Sequence, residues 1–498
     1  MSTSSLYVAI ARSMLGRAGV YAANLLSMVI LARLFTPRDF GTVASIAVFS
    51  SFFQLMTEAG LGPAIINLRV LSPRDRNGLF GLTVMTGMAL ALMFEAARPL
   101  WQAFSGLPRV GEVVPYVAAS LLFYAASIVP TALLLRDQAF YRIANAGVAS
   151  ELVSTGASLV LLRLIDPLHA LASKAAFSAA VNFATTYYFS GRTQFGRPSW
   201  GMHFRAIRPL LSFSSYQLGF NVLNYFSRNL DNILVGRYLG TAPLGIYDKA
   251  YRLMRYPLVL ITFAMTPAIQ PVVKQYAHDK AQVEAIQRDF LWRLSLMGAV
   301  AGLFIYLLAG DIVAWLLGPQ WNAVVPVIRI LAIGIPVQVV LSTSGSFYQA
   351  MDRTDLLFVN GVFSSAVMVS AIVWGVLQRD LSKLSWALVV AFHANFFFAY
   401  YVMYSRIFGK GLPAFLAKLA PSALVVIGMV AFHHSFAGSP APTGLPAAPS
   451  LYTHARPGIN ATPRQHLPLR AFRGMPPRDG GELNRRSPGG ELHIGING

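Results

Sequence analysis

The sequence predicts an all-α polytopic membrane protein: two six-helix lobes in parallel repeat around a central cleft, with an additional helix after them. Three observations carry that reading. The 498 residues are 55% hydrophobic and only 12% charged, about half the charge share of a soluble domain. Thirteen apolar runs reach the length of roughly 20 residues that a helix needs to cross a bilayer. The chain also resembles itself at an offset of 204 residues. A net charge of +20 would suggest nucleic acid in a soluble chain. In a chain this apolar the surplus belongs to cytoplasmic loops, and no nucleic-acid partner is expected. Cysteine is absent, which excludes disulfides, thiol catalysis and thiolate metal sites.

In order, the spans fall near 15–35, 40–60, 78–97, 113–135, 144–163 and 168–190 in a first lobe over residues 1–205. A second lobe over 206–410 holds spans near 209–235, 244–271, 293–317, 323–346, 355–377 and 383–405, and an additional helix occupies 411–434. Span 1 has few positive charges before it and no small-residue cleavage site, so it reads as an uncleaved anchor. Connections are short, and the longest, 272–292, has room for little beyond an amphipathic segment. Those after even-numbered spans carry seventeen Lys and Arg and those after odd-numbered spans eight, which puts the N-terminus in the cytoplasm. Residues 435–498 hold 10 prolines, 10 glycines and seven arginines without apolar periodicity, the composition of a disordered tail. Two origins stand for it: a genuine tail, or out-of-frame translation in place of a fourteenth helix.

The offset of 204 lays Ala32-Arg33-Leu34-Phe35 on Gly236-Arg237-Tyr238-Leu239, Gly41 on Gly245, and Pro63-Ala64-Ile65 on Pro267-Ala268-Ile269. Span 1 then matches span 7, with six spans per half. An even number inserts both halves in the same direction, related by an axis along the membrane normal.

Polar residues mark the cleft. On span 7, Gln217, Asn221, Asn224, Arg228 and Asp231 recur at four, three, four and three residues, one helical face. Their equivalents on span 1 are Ser13, Arg17, Val20, Asn24 and Ser27. A central charge costs about 2.5–3.5 kcal/mol to insert, so two such stripes fit a hydrated cleft. Interhelical hydrogen bonding within the bundle is the alternative. Span 8 opens with Asp248, Lys249, Arg252 and Arg255, of which Asp248 and Arg252 are an (i, i+4) pair. This cluster either snorkels to the interface or forms an anion site. Glu58 and Glu151 are candidates for proton or ion coupling, or else neutralise Arg17 or Lys174. No phosphate loop, nucleophile elbow or zinc signature is present. Transport is therefore expected rather than chemistry, without cofactor or metal.

Ala32-Arg33-Leu34-Phe35-Thr36-Pro37-Arg38-Asp39-Phe40-Gly41 and Glu58-Ala59-Gly60-Leu61-Gly62-Pro63-Ala64-Ile65 resemble the opening of the polysaccharide-export flippases. The stretches 229–240 and 244–251, and the loop Phe347-Tyr348-Gln349-Ala350-Met351-Asp352-Arg353, are similar to later parts of the same family. This is the Wzx-type branch of the multidrug/oligosaccharidyl-lipid/polysaccharide superfamily, and the resemblance covers about residues 10–430. It implies flipping of an undecaprenyl-pyrophosphate-linked oligosaccharide across a bacterial inner membrane through a cationic cavity. An exopolysaccharide unit of the xanthan or succinoglycan kind, or an O-antigen unit, would be the cargo, with a polysaccharide polymerase and a chain-length regulator as partners. On this reading Arg17, Arg228, Arg252 and Arg255 contact the anion, while Asn24, Gln217, Asn221, Asn224 and Asp231 line the cleft. Rival readings are a drug or cation antiporter of the same superfamily, and a polytopic polymerase or acyltransferase.

Overall fold

A computed structural model describes residues 3–58, 62, 65–66, 71–107, 109–202, 225, 229–263 and 266–436. Side chains before residue 16, and those of residues 58, 263, 266–268, 271, 414 and 436, lie outside this description. The first lobe contains α1 (Thr3–Leu34), α2 (Pro37–Glu58), α3 (Pro73–Ala96), a short α4 (Arg98–Ser105), α5 (Val110–Arg136), α6 (Phe140–Leu161) and α7 (Pro167–Ser190). The second contains a helical stretch at 229–239, then α8 (Thr241–Phe263), α9 (Thr266–Gln275), α10 (Lys280–Leu316), α11 (Val324–Ile333), α12 (Ile335–Ala350), α13 (Thr354–Leu377) and α14 (Leu381–Met403). After these come a π-turn at Tyr404–Phe408, α15 (Pro413–Lys418) and α16 (Ala420–Phe436).

Every expected span with described residues coincides with a helix, and no strand occurs among the described residues. Local chemistry sets the starts. Thr36 and Asp39 cap α2 reciprocally: the Asp39 carboxylate accepts from the Thr36 hydroxyl at 2.7 Å and the Asp39 N–H donates to that hydroxyl oxygen at 3.3 Å, with Pro37 at the first helical position. Asp166, Asp279 and Asp380 cap α7, α10 and α14 through their carboxylates.

Among the described residues, seven helices are long and apolar enough to cross a membrane: parts or all of α1, α2, α3, α5, α10 and α13, and α14 continued through the π-turn. One further pair, α11 with α12, qualifies as a single span bent by 55°. The sequence alone predicts one continuous helix there. The break falls at Gly334-Ile335-Pro336, where the proline cannot donate to the preceding turn. Helices α6, α7 and α8 have 22, 24 and 23 residues but are less apolar, because they carry the charges described below.

A large apolar core fills the second lobe, from Val235 through Phe347 to Met429, and reaches Met28 and Ala32 of the first. Smaller cores around Val114, Leu133 and Leu171 hold the first lobe together. Between the lobes, α2 runs along α8.

Candidate functional site: an interlobe cavity

The repeat places α2 and α8 in equivalent positions, and both begin at the offset of 204, Pro37 and Thr241. They cross backbone to backbone at two glycines. A Cβ on Gly41 would lie 1.7 Å from the Thr241 carbonyl oxygen, and one on Gly245 would lie 2.0 Å from that of Pro37. The contact is reciprocal, as an axis relating the lobes requires. Neighbouring residues of the same motif also cross. The Arg33 guanidinium donates to the Trp315 carbonyl, while Arg237 Nη1 donates to that of Ala103 at 3.1 Å. Gln320 Nε2 and Trp321 Nε1 both donate to the Ala32 carbonyl at 2.7 Å. These contacts shut one end of the interlobe space, at the connections after odd-numbered spans.

From that closed end a cavity of about 700 Å³ extends along α1, α2, α5, α6, α7 and α8. Its two walls differ. The first-lobe side carries neutral polar groups, including Tyr21, Asn24, Ser50, Gln54, Ser178 and Asn182, together with Glu151 and Lys174. The second-lobe side is the face of α8 bearing Asp248, Lys249, Arg252, Arg255 and Tyr256. Among the described residues, four cations therefore meet two carboxylates.

The pairing of these charges is uneven. Lys174 Nζ donates to Glu151 Oε1 at 2.8 Å. Asp248 serves two cations, accepting from Lys249 Nζ at 3.1 Å and Arg252 Nε at 2.9 Å. Lys249 is 2% exposed, and its ammonium also lies 3.7 Å from the centre of the Phe40 ring across the lobe boundary. Arg255 has no carboxylate partner among the described residues.

Three sequence-derived candidates, Asn24, Arg252 and Arg255, line the cavity. Glu151 lines it as well, but as half of an ion pair with Lys174. Arg17 is exposed and outside the cavity lining. Asp231 departs most clearly from expectation. It is 7% exposed and turned into the second lobe, where its carboxylate accepts from the Tyr247 hydroxyl at 2.7 Å and the Asn232 N–H at 2.8 Å. A one-helix stripe cannot anticipate that α8 supplies a donor to one of its members. Gln217, Asn221, Asn224 and Arg228 lie outside the described residues, as does the side chain of Glu58. Sequence reasoning missed Gln54, Ser178 and Asn182, small or neutral groups in otherwise apolar helices, where polarity alone is a weak signal. Among the described residues no cluster of acids and histidines could hold a metal ion.

The family model described as "Polysaccharide biosynthesis protein" matches residues 30–326. The teichuronic acid biosynthesis protein TuaB of Bacillus subtilis is 24% identical over 75% of this chain and 74% of its own length. The lipopolysaccharide biosynthesis protein WzxC of Escherichia coli is 22% identical over 80% and 81%. The succinoglycan biosynthesis transport protein ExoT of Rhizobium meliloti is 22% identical over 76% of each. Among solved structures, the lipid II flippase MurJ in an inward closed conformation superposes with a TM-score of 0.63, covering 85% of this chain and all of that one at 11% identity. An inward-facing multidrug MATE transporter gives 0.58, covering 82% and 95% at 12% identity. The fold is that of the multidrug/oligosaccharidyl-lipid/polysaccharide superfamily.

Proposed function

We propose, for a chain that belongs to the polysaccharide biosynthesis protein family and spans the membrane many times, that it flips an undecaprenyl-pyrophosphate-linked oligosaccharide from the cytoplasmic to the outer leaflet of a bacterial inner membrane. The observation that carries this reading is the cavity between the lobes, with its cation surplus on one wall and neutral hydrogen-bonding groups on the other. Arginine binds phosphate oxygens bidentately, so Arg252 and Arg255 suit the pyrophosphate. Asn24, Gln54, Ser178 and Asn182 suit sugar hydroxyls. The polyprenyl tail stays in lipid between the lobes. Gln217, Asn221, Asn224 and Arg228 on span 7 are proposed as further cleft contacts.

The excess of Lys and Arg on the even-numbered connections supports a cytoplasmic N-terminus. The cavity's closed end then faces outward, and the cargo enters from the cytoplasmic side. Translocation requires the contacts at Ala32, Gly41 and Gly245 to part while the other end closes. A polymerase and a chain-length regulator would take the product.

A drug or cation antiporter is the second reading from the same fold. Four cations against two acids among the described lining residues oppose it, because a cationic ligand needs unpaired carboxylates. The test is a deletion strain: lipid-linked repeat units should accumulate on the cytoplasmic side and disappear when the gene is restored. Complete units polymerised normally without this protein would contradict the proposal.

A further inference from the structure

Asp248 stands between the cavity and the contact that shuts its outer end. Its Oδ1 holds Arg252, whose side chain is 61% exposed toward the cavity. Its Oδ2 holds Lys249, whose side chain is 3% exposed. The Lys249 ammonium in turn packs on Phe40 of the first lobe, 3.7 Å from the ring centre, and lies 6.0 Å from that of Trp321. Trp321 itself donates to Ala32 across the same boundary. One carboxylate thus links the exposed cation of the cavity to the buried cation of the interlobe contact.

We propose that Asp248 is a relay through which an anionic headgroup in the cavity loosens the closed end. The relay presupposes that the cavity takes a pyrophosphate, as proposed above. A carboxylate shared by two cations holds each less firmly than it would hold one. A diphosphate that engages Arg252 and Arg255 draws Arg252 away from Asp248. The freed carboxylate then attracts Lys249 alone. The ammonium is held by two competing partners, the carboxylate and the aromatic face, so a stronger pull from Asp248 moves it off Phe40. The lobes lose a desolvated contact at the end that must open, and they lose it only when cargo is present. An empty carrier keeps the latch, which prevents a futile cycle.

The test exploits a chain without cysteine. Ala32 is fully buried at the closed end, so an Ala32→Cys variant in nanodiscs reports opening through its rate of modification by a thiol reagent. Inorganic pyrophosphate is the probe, and its binding is measured separately by calorimetry. Pyrophosphate should bind and raise the labelling rate several-fold. Adding Asp248→Asn should preserve folding and leave the rate unresponsive to bound pyrophosphate. Adding Phe40→Leu, which removes the ring but keeps the apolar volume, should give fast labelling with or without the probe. Pyrophosphate that binds without changing the labelling rate overturns the relay and leaves the proposed function standing. The relay is equally overturned if Asp248→Asn responds like its parent, or if Phe40→Leu labels as slowly as its parent without the probe. Absence of pyrophosphate binding overturns the underlying reading and the relay with it.

Discussion

Arg255 differs from the other cavity cations in having no carboxylate to satisfy it among the described residues. It is therefore the group with most to gain from an anion. A hydrogen bond to a charged group contributes about 1.5–3 kcal/mol, and 1.4 kcal/mol is about tenfold in affinity. Arg255→Ala should weaken pyrophosphate binding by about ten- to a hundredfold in a calorimetric titration, with insertion and expression unchanged. Glu151 invites the opposite experiment. If it only neutralises Lys174, Glu151→Ala should lower the thermal stability in detergent by about 1–3 kcal/mol, the cost of leaving one partner of a largely buried pair unmatched. Glu151→Ala with Lys174→Ala should recover much of that loss and retain export. An inactive double variant would instead make Glu151 a coupling acid. The spacing of Asp248, Arg252 and Arg255 was legible because one helix face carries all three. Asp231 was not, since its fate depends on Tyr247 from another helix, which no one-dimensional pattern contains.

At the scale of the element, the small-Arg-then-Gly motif has a physical purpose. The residues that reveal the duplication are those that bring α2 and α8 together, with Gly41 and Gly245 each facing the first residue of the other helix. Gly41→Val should keep the lobes from meeting, so that export is lost although the protein still inserts. Gly156, with nothing within 4 Å of its absent Cβ, should tolerate alanine with wild-type export. The α6–α7 connection offers a pH-dependent counterpart. Partial burial works against ionisation of Asp166, but the Arg109 guanidinium and the Leu168 N–H hold its carboxyl below the usual value. An acid whose folded value is depressed stabilises fully above its unfolded value, about 4, and loses that contribution as pH falls through the folded one. The melting temperature should therefore drop as pH falls below about 4, and drop less in Asp166→Asn. The break in span 10 falls at Gly334 and Pro336, which a hydropathy window passes over, and both halves of the 55° bend pack against α14.

Across the whole molecule, hydropathy and the repeat were enough to place twelve of the spans on helices and to predict a cleft between equivalent halves. Span 7 lies largely outside the described residues. Of the six helices that wall the cavity, α6, α7 and α8 fall short of the hydropathy of a membrane span while α1, α2 and α5 reach it, so hydropathy alone does not mark the site. The cavity's asymmetry, charged on the second lobe and neutral on the first, was not legible. It arises from which faces the lobes turn toward each other, and that is fixed by the crossing of α2 and α8. Flipping itself is tested most directly in proteoliposomes carrying the purified protein and a fluorescent polyprenyl-pyrophosphate-linked oligosaccharide. Translocation between leaflets should require the protein and fall at least about tenfold in Arg255→Ala; no translocation, or an unchanged rate in that variant, would contradict it.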